Sequence, residues 1–213
     1  MTAASPFSSG DYWEVRYRAG GTSGKGSVGR LAQFKASVIN RFIAENNIRS
    51  VIDLGCGDAS QLARLELPAD YTGIDVSPAA LEQCAARFPG RRFATPGDLP
   101  AIPPAELTLS LDVIYHLIED DVFAAAMRTL FNWATRSVLI YSSNLDTAWP
   151  ASHVRHRRFT DHLARTQPEW RLLAHLPNPY PFDRTSPDDT SFADFFIYGR
   201  LGAACSIVVP AIG

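Results

Sequence analysis

The hydrophobic and polar positions of this chain follow two different periods. Between residues 31 and 45, apolar side chains recur every three or four positions, which predicts an amphipathic helix. After residue 48, short apolar runs alternate with segments of helical period. The predicted strands are 49–54, 70–75, 91–95, 106–112, 136–142, 170–176 and 192–198. The other predicted helices are 11–18, 59–66, 78–88, 119–131 and 157–166.

Strands that alternate with helices predict an α/β fold, with a mostly parallel sheet and helices on both faces. The strands 170–176 and 192–198 have no helix between them, so we expect the last strand to run antiparallel. The length of 213 residues favours one domain, 1–213. We expect its first part, 1–30, to consist of a polar tail, a short helix and a glycine-rich loop, and 31–213 to form the core.

The most informative segment follows the first predicted strand. The sequence Asp53-Leu-Gly-Cys-Gly joins an acid to two glycines, which allow the backbone to turn tightly against a ligand. The second strand ends in another acid, Asp75, 20 residues after Gly55 (75 − 55). In a βαβ unit, this spacing presents a carboxylate to the hydroxyl groups of a ribose. The pattern therefore predicts a site for a cofactor that contains adenosine.

Two details distinguish between adenosine cofactors. A dinucleotide-binding turn has a further glycine or alanine three residues after its second glycine, where this chain has Ser60. Asp58 would repel a pyrophosphate, whereas S-adenosylmethionine carries an ammonium, a sulfonium and no phosphate. Together, Asp53, the two glycines and Asp75 resemble the motifs of class I S-adenosylmethionine-dependent methyltransferases. The family usually has glycine at the position of Ala59, a difference that concerns only the shape of the loop.

The resemblance implies a Rossmann-like sheet, S-adenosylmethionine as the cofactor and S-adenosylhomocysteine as its product. It implies that the glycine turn lies under the methionine part and that Asp75 holds the ribose. It also implies that Asp98 accepts from the adenine amino group, that Leu99 packs on the ring, and that the backbone at Leu111 and Asp112 contacts the methionyl end. Asp98 as a plain turn residue and Asp112 as a helix cap or loop acid are the structural alternatives. The predicted cofactor-binding residues are Trp13, Asp53, Gly55, Gly57, Asp75, Val76, Asp98, Leu99, Leu111 and Asp112.

Three segments are candidates for the methyl acceptor. His116 follows the fourth strand and could act as a general base on a hydroxyl, or cap the next helix. The run 152–159 holds two histidines and three arginines, which oppose a helix dipole and favour either a bound anion or a solvated basic face. The aromatic helix 11–18 is predicted to cover the cofactor, although its aromatics could simply pack on the core. The predicted catalytic residues are His116 and His153, and the predicted acceptor-binding residues are Tyr12, Tyr17, Arg30, Tyr115, Arg155, His156 and Arg157.

The composition limits the classes of partner and the compartment that we expect for this protein. The formal charge of −2 and the pI near 6.2 give no overall attraction to nucleic acid or to a membrane. Three cysteines without metal-ligand spacing fit a reducing cytoplasm. His153 and His156 have a zinc-ligand spacing, but arginines crowd them, so we predict no metal site. No signal peptide or membrane-spanning segment is predicted. We expect a cytoplasmic monomer or homodimer.

The first functional hypothesis is O-methylation of an anionic small molecule, namely a carboxylate, phosphate or phosphonate. It rests on the basic run and on a resemblance to small bacterial methyltransferases of natural-product and glycan pathways. A neutral sugar or amine acceptor is the alternative within this class. A nucleic-acid methyltransferase is disfavoured by the net charge and by the missing Asn/Asp-Pro-Pro-Tyr/Phe motif, since the chain has Asp112-Val-Ile-Tyr. A non-catalytic cofactor-binding module is the third class.

Overall fold

The computed structural model of the chain describes residues 7–202 and 207–209. Most of the predicted polar tail, and Cys205, lie outside the described residues. The helices are α1 (Ser9–Arg18), α2 (Gly29–Glu45), α3 (Pro78–Arg87), α4 (Asp120–Asn132) and α5 (Phe159–Thr166). The strands are β1 (Ser50–Leu54), β2 (Asp70–Ile74), β3 (Arg92–Ala94), β4 (Ala105–Leu111), β5 (Ala134–Ser142), β6 (Trp170–Leu176) and β7 (Asp194–Arg200).

The seven strands form one sheet in the order β3-β2-β1-β4-β5-β7-β6. Strands β1 to β5 are parallel, and β7 runs antiparallel to both β5 and β6. The predicted antiparallel end of the sheet is thereby confirmed. The strand order reverses between β1 and β4, and in open α/β sheets ligands bind at this point, beyond the carboxyl ends of the strands.

Helices cover both faces of the sheet. On one face, α2 buries Phe34, Ile39 and Phe42 against the apolar side chains of β1, β4, β5 and β7. On the other face, α4 and α5 bury Met127 and Phe159 with side chains of β5 and β7. Each large apolar side chain buried in this way contributes roughly 1.5–3 kcal/mol. The predicted α/β fold, a mostly parallel sheet with helices on both faces, is confirmed.

One predicted helix was wrong. Residues 59–66 contain only a short 3₁₀ turn, Leu62–Arg64. Ala59 has φ of +58°, in the left-handed region that an α-helix cannot include. The carboxylate of Asp58 accepts from the amide of Ser60 at 2.9 Å, and this local bond competes with a helical start. The crossover from β1 to β2 is therefore mostly irregular.

In the described ranges, none of the helices combines the length and apolar character that crossing a membrane requires. The same ranges contain no group of three or more histidine, cysteine, aspartate or glutamate side chains arranged to hold a metal ion.

Candidate active site

The turn after β1 lies at the carboxyl edge of the sheet and requires glycine at two positions. Gly55 and Gly57 have φ of +84° and +58°, a region that glycine adopts without strain. A Cβ atom on Gly55 would collide with Val113, and one on Gly57 would collide with Ser23. The amide of Gly55 donates to the carbonyl of Ile74 at 2.7 Å, which ties the turn to β2. The turn thus needs glycine at both positions because of its own conformation and its protein neighbours, and its contact with a ligand stays a prediction.

Asp75 is buried directly beside this turn. Its two carboxylate oxygens accept from the amides of Gly57 and Ser77, both at 2.9 Å. Burial raises the pKa of Asp75, while these amides oppose the shift. The next residue, Val76, is 50% exposed and lines the same cavity. A carboxylate next to an exposed apolar side chain offers acceptors for ribose hydroxyls and a surface for a planar base.

Asp53, at the end of β1, is a second buried carboxylate in the cavity wall. The hydroxyl of Tyr71 donates to its Oδ2 at 3.1 Å, and its Oδ1 has no hydrogen-bond partner among the described residues. Burial raises the pKa of Asp53 to about 7. Gln61 also lines the cavity, and its Oε1 is another buried acceptor that no described residue satisfies. Two buried acceptors with no donor fit an ammonium group, which has three N–H donors.

These groups surround a cavity of about 320 Å³. A cavity of this size is typical of sites for small ligands and cofactors. Trp13 and Tyr17 of α1 contribute to its wall from above. Its mostly apolar side is formed by residues after β4 and along α4, which are Ile114, Leu117, Val122, Ala125, Ala126 and Leu130, together with Thr129. The cavity is therefore polar where the strands end and apolar towards α4.

Helix α1 spans the mouth of the cavity and is bound on both sides. The hydroxyl of Ser77, after β2, donates to Glu14 at 2.6 Å. On the other side, the amide of Ser9 donates at 2.8 Å to Glu119, at the start of α4. The structure places two side chains of α1, Trp13 and Tyr17, in the cavity wall, and the predicted cover over the cofactor stays a prediction.

His116 lies in the cavity wall, in the turn after β4. Its Nδ1 is 2.7 Å from the backbone carbonyl of His153, so Nδ1 carries the proton and Nε2 is an unprotonated acceptor. Burial lowers the pKa of His116 to about 4, which keeps the ring neutral at pH 7. Trp13 contacts the ring edge-on at a centroid distance of 4.9 Å. The ring of His153 stacks between His116 and Tyr12, outside the cavity wall.

Lys35 is a cavity residue that the sequence reasoning missed. Its side chain is 1% exposed, and Nζ is 2.5 Å from Oδ2 of Asp112. The other oxygen of Asp112 accepts from the hydroxyl of Tyr115 at 2.9 Å. A signal was available, because position 35 falls on the apolar stripe of α2 between Leu31 and Val38. A lysine inside such a stripe is expected to be buried and paired.

Three arginines predicted to bind the acceptor lie outside the cavity wall. Arg30 donates to a backbone carbonyl in the loop between β6 and β7, at 2.6 Å. Arg157 donates to the carbonyls of residues 117 and 118, and Arg155 donates to the carbonyl of 118. Both also pair with Asp120 at 3.1 Å. The guanidinium groups of Arg155 and Arg157 thus stabilise the loop before α4, because they donate to carbonyls that have no donor in the local backbone.

Five more predicted residues also lie outside the cavity wall, and two of them are the predicted acceptor-binding residues Tyr12 and Tyr115. Asp98 is exposed and accepts from the amide and hydroxyl of Thr95, which matches the turn-residue alternative. Leu99 is buried in a small core below the sheet edge. The Nδ1 of His156 is 2.7 Å from the hydroxyl of Ser143, in an aromatic cluster. The predicted residues in the cavity wall are Trp13, Tyr17, Asp53, Gly55, Gly57, Asp75, Val76, Leu111, Asp112 and His116.

Comparison with known proteins agrees with this geometry. Residues 52–132, which include the glycine turn, Asp75 and His116, match a family model described as a methyltransferase domain. The search of curated proteins gave no match.

Solved structures share the fold at low sequence identity. Magnesium protoporphyrin IX methyltransferase from Synechocystis PCC 6803, with bound S-adenosylmethionine, is 15% identical, with a TM-score of 0.65 over 93% of this chain and 100% of that one. The N-methyltransferase NodS from Bradyrhizobium japonicum WM9 is 12% identical, with a TM-score of 0.66 over 90% and 98%. The mitomycin 7-O-methyltransferase MmcR is 16% identical, with a TM-score of 0.60 over 86% and 56%.

These structural likenesses show the fold alone. The family match covers the strands and turns that build the cavity, and the unpaired acceptors in its wall suit the ammonium of S-adenosylmethionine. Residues 52–132 of this chain are similar to a methyltransferase domain, and the cavity that they help to line suits S-adenosylmethionine.

Proposed function

We propose that this enzyme methylates a hydroxyl group of a small, uncharged acceptor, and that His116 accepts the hydroxyl proton. The observation that carries the proposal is the hydrogen bond from His116 Nδ1 to the carbonyl of His153. That bond fixes the tautomer in which Nε2 has a free lone pair, and His116 lines the cavity. A single-domain organisation over 1–213 is part of the proposal.

Different residues around the cavity are suited to bind different parts of the cofactor. When bound, S-adenosylmethionine supplies an electrophilic methyl group. Asp75 is suited to accept from the ribose hydroxyls, and Val76 provides an apolar contact for the adenine. Asp53 and Gln61 provide the acceptors for the ammonium group. Trp13, above the site, excludes water from the reacting groups.

A neutral imidazole next to the cavity suits an acceptor that arrives with its proton. A hydroxyl is a weak nucleophile until a base removes the proton, and a positioned base contributes about 10²–10⁴ in rate. Because burial lowers the pKa of His116 to about 4, the ring is available as a base throughout the neutral range. Its low basicity favours proton removal in concert with methyl transfer over prior ionisation.

The expected anionic acceptor receives little support. It depended on Arg30, Arg155 and Arg157, whose guanidinium groups are occupied by backbone carbonyls and Asp120. The cationic side chain in the cavity wall, Lys35, already neutralises Asp112. The expected natural-product or glycan role has no support from the structural neighbours, whose likeness shows the fold alone.

The test is a set of acceptors (alcohols, phenols, carboxylic acids, phosphate monoesters and amines) assayed by release of S-adenosylhomocysteine. We expect turnover of an alcohol or phenol. In His116→Gln, kcat should fall by about 10²–10⁴, while the Kd for S-adenosylhomocysteine should change by less than about threefold. The matched control is His175→Gln on β6, away from the cavity, which should keep the wild-type kcat.

The pH profile adds a second readout. With S-adenosylmethionine held saturating at every pH, the acid limb of kcat/KM for the acceptor should lie near pH 4, the pKa of His116, and not near 6.5. Turnover of acids alone, with kcat unaffected in His116→Gln, would contradict the proposal and restore the anionic acceptor.

A further inference from the structure

Lys35 is an unusual residue for this chain. The sequence contains 18 arginines and two lysines, Lys25 and Lys35. Lys25 is 65% exposed and pairs at the surface with Asp188. Lys35 is 1% exposed inside α2 and lies in the wall of the active-site cavity. A buried ammonium is costly unless it is paired, so its position demands an anion beside it.

The anion is Asp112, whose conformation is itself unusual. Asp112 follows β4 with φ of +60°, in the left-handed region that is strained for a side chain other than glycine. Lys35 Nζ is 2.5 Å from its Oδ2, and the hydroxyl of Tyr115 donates to its Oδ1. Its amide donates to the carbonyl of Tyr141 at 2.9 Å. These contacts hold both carboxylate oxygens and the amide, and such restraint is what a strained backbone needs to persist.

The strained residue begins the turn that ends in His116. The turn Ile114–His116 is a single 3₁₀ turn, closed by the amide of His116, which donates to the carbonyl of Val113 at 2.8 Å. The ring of Tyr115 packs on the ring of His116 at a centroid distance of 4.5 Å. The direction in which His116 points therefore depends on the backbone at Asp112 and on the hydrogen bond made by Tyr115.

We infer that Lys35 is a positioning residue for methyl transfer: its buried ammonium holds Asp112 in the left-handed conformation, and thereby orients the turn that carries His116. The catalytic part of this inference rests on the proposed function. Its structural part, that Lys35 sets the environment of His116, does not need His116 to be the base.

The test follows the imidazole nitrogens of His116 by ¹⁵N NMR, in full-length protein without an acceptor. In the wild type, we expect one protonated Nδ1 and one unprotonated Nε2, unchanged from pH 8 to pH 5. In Lys35→Met, which removes the charge and keeps an unbranched apolar chain, His116 should exchange between tautomers and titrate nearer to 6.5. The matched control Lys25→Met should leave the His116 signals as in the wild type.

A double variant keeps the inference testable if Lys35→Met fails to fold. Lys35→Met with Asp112→Asn leaves no unpaired charge and retains an acceptor for Tyr115. Tyr115→Phe removes the hydrogen bond from the Tyr115 hydroxyl to Asp112 and keeps the ion pair between Lys35 and Asp112. It should shift the His116 signals by less than Lys35→Met does. Wild-type His116 signals in a folded Lys35→Met protein, or in the folded double variant, would overturn the inference.

Kinetics separate this inference from the proposed function. With an acceptor from the set above, Lys35→Met should lower kcat about tenfold or more through misplacement of His116, with a smaller change in the acceptor KM. If Lys35→Met shifts the His116 signals but His116→Gln keeps its kcat, the positioning role stands and the base assignment fails. If His116→Gln lowers kcat and Lys35→Met changes neither the His116 signals nor kcat, the base assignment stands and the positioning role of Lys35 fails.

Discussion

Asp53 provides a quantitative prediction about cofactor binding. Burial raises its pKa to about 7 in the ligand-free protein, and its Oδ1 has no partner among the described residues. If the ionised carboxylate accepts from the ammonium of S-adenosylhomocysteine, protonation of Asp53 competes with binding. The Kd should then rise as the pH falls below 7. Between pH 7 and pH 5.5 the expected weakening is about 16-fold, from (1 + 10^1.5)/(1 + 1), or about 1.6 kcal/mol.

Isothermal titration calorimetry with S-adenosylhomocysteine at pH 5.5, 6.0, 6.5 and 7.0 measures this directly, because no turnover occurs. The control is Asp53→Asn, which keeps the shape and an acceptor for the hydroxyl of Tyr71. It should bind more weakly at pH 7 and show a flatter pH dependence. Any slope left in Asp53→Asn is expected from Asp75, whose pKa burial also raises.

The raised pKa of Asp53 also predicts how the stability of the ligand-free protein depends on pH. When folding raises the pKa of a carboxyl group, here from 3.8 to about 7, the free energy of unfolding falls as the pH rises through that range. Without ligand, Asp53→Asn should therefore unfold at a higher temperature than the wild type at pH 8. A wild-type Kd that is constant from pH 5.5 to 7.0, or an equal slope in Asp53→Asn, would refute the assignment of Asp53 to the ammonium.

Two further predictions concern the ribose and the basic run. Asp75→Asn should weaken binding of S-adenosylhomocysteine by about 1–3 kcal/mol, since a charged acceptor of the ribose hydroxyls is lost, and unchanged calorimetric affinity would show that the ribose lies elsewhere. Arg157→Ala should destabilise the fold by about 1–3 kcal/mol and so lower Tm, because it removes donors to two part-buried loop carbonyls and to Asp120, while the exposed neighbour Arg158→Ala should have little effect. A higher acceptor KM in Arg157→Ala without any change in Tm would instead return this residue to the acceptor site.

The sequence alone determined the elements with short-range causes. The period of the apolar residues predicted the strands and most helices within a few residues, because burial of one face follows directly from that period. The glycine turn and Asp75 were predicted from spacing, because a βαβ unit brings the ends of its neighbouring strands together. The helix at 59–66 failed for a local reason, since Ala59 adopts a positive φ beside the Asp58 carboxylate, which bonds the next amide.

Only the tertiary structure decided which charges meet. Lys35 and Asp112 are 77 residues apart, and their pairing depends on how α2 packs against the sheet. The arginines at 155 and 157 looked like an anion site in the sequence, yet the fold brings the loop before α4 within their reach. A charged side chain binds the nearest unsatisfied partner in space, and the identity of that partner depends on long-range packing that no local pattern encodes. Local pattern thus predicted the turn and the acids that line the cavity, whereas packing decided which side chains around it are paired.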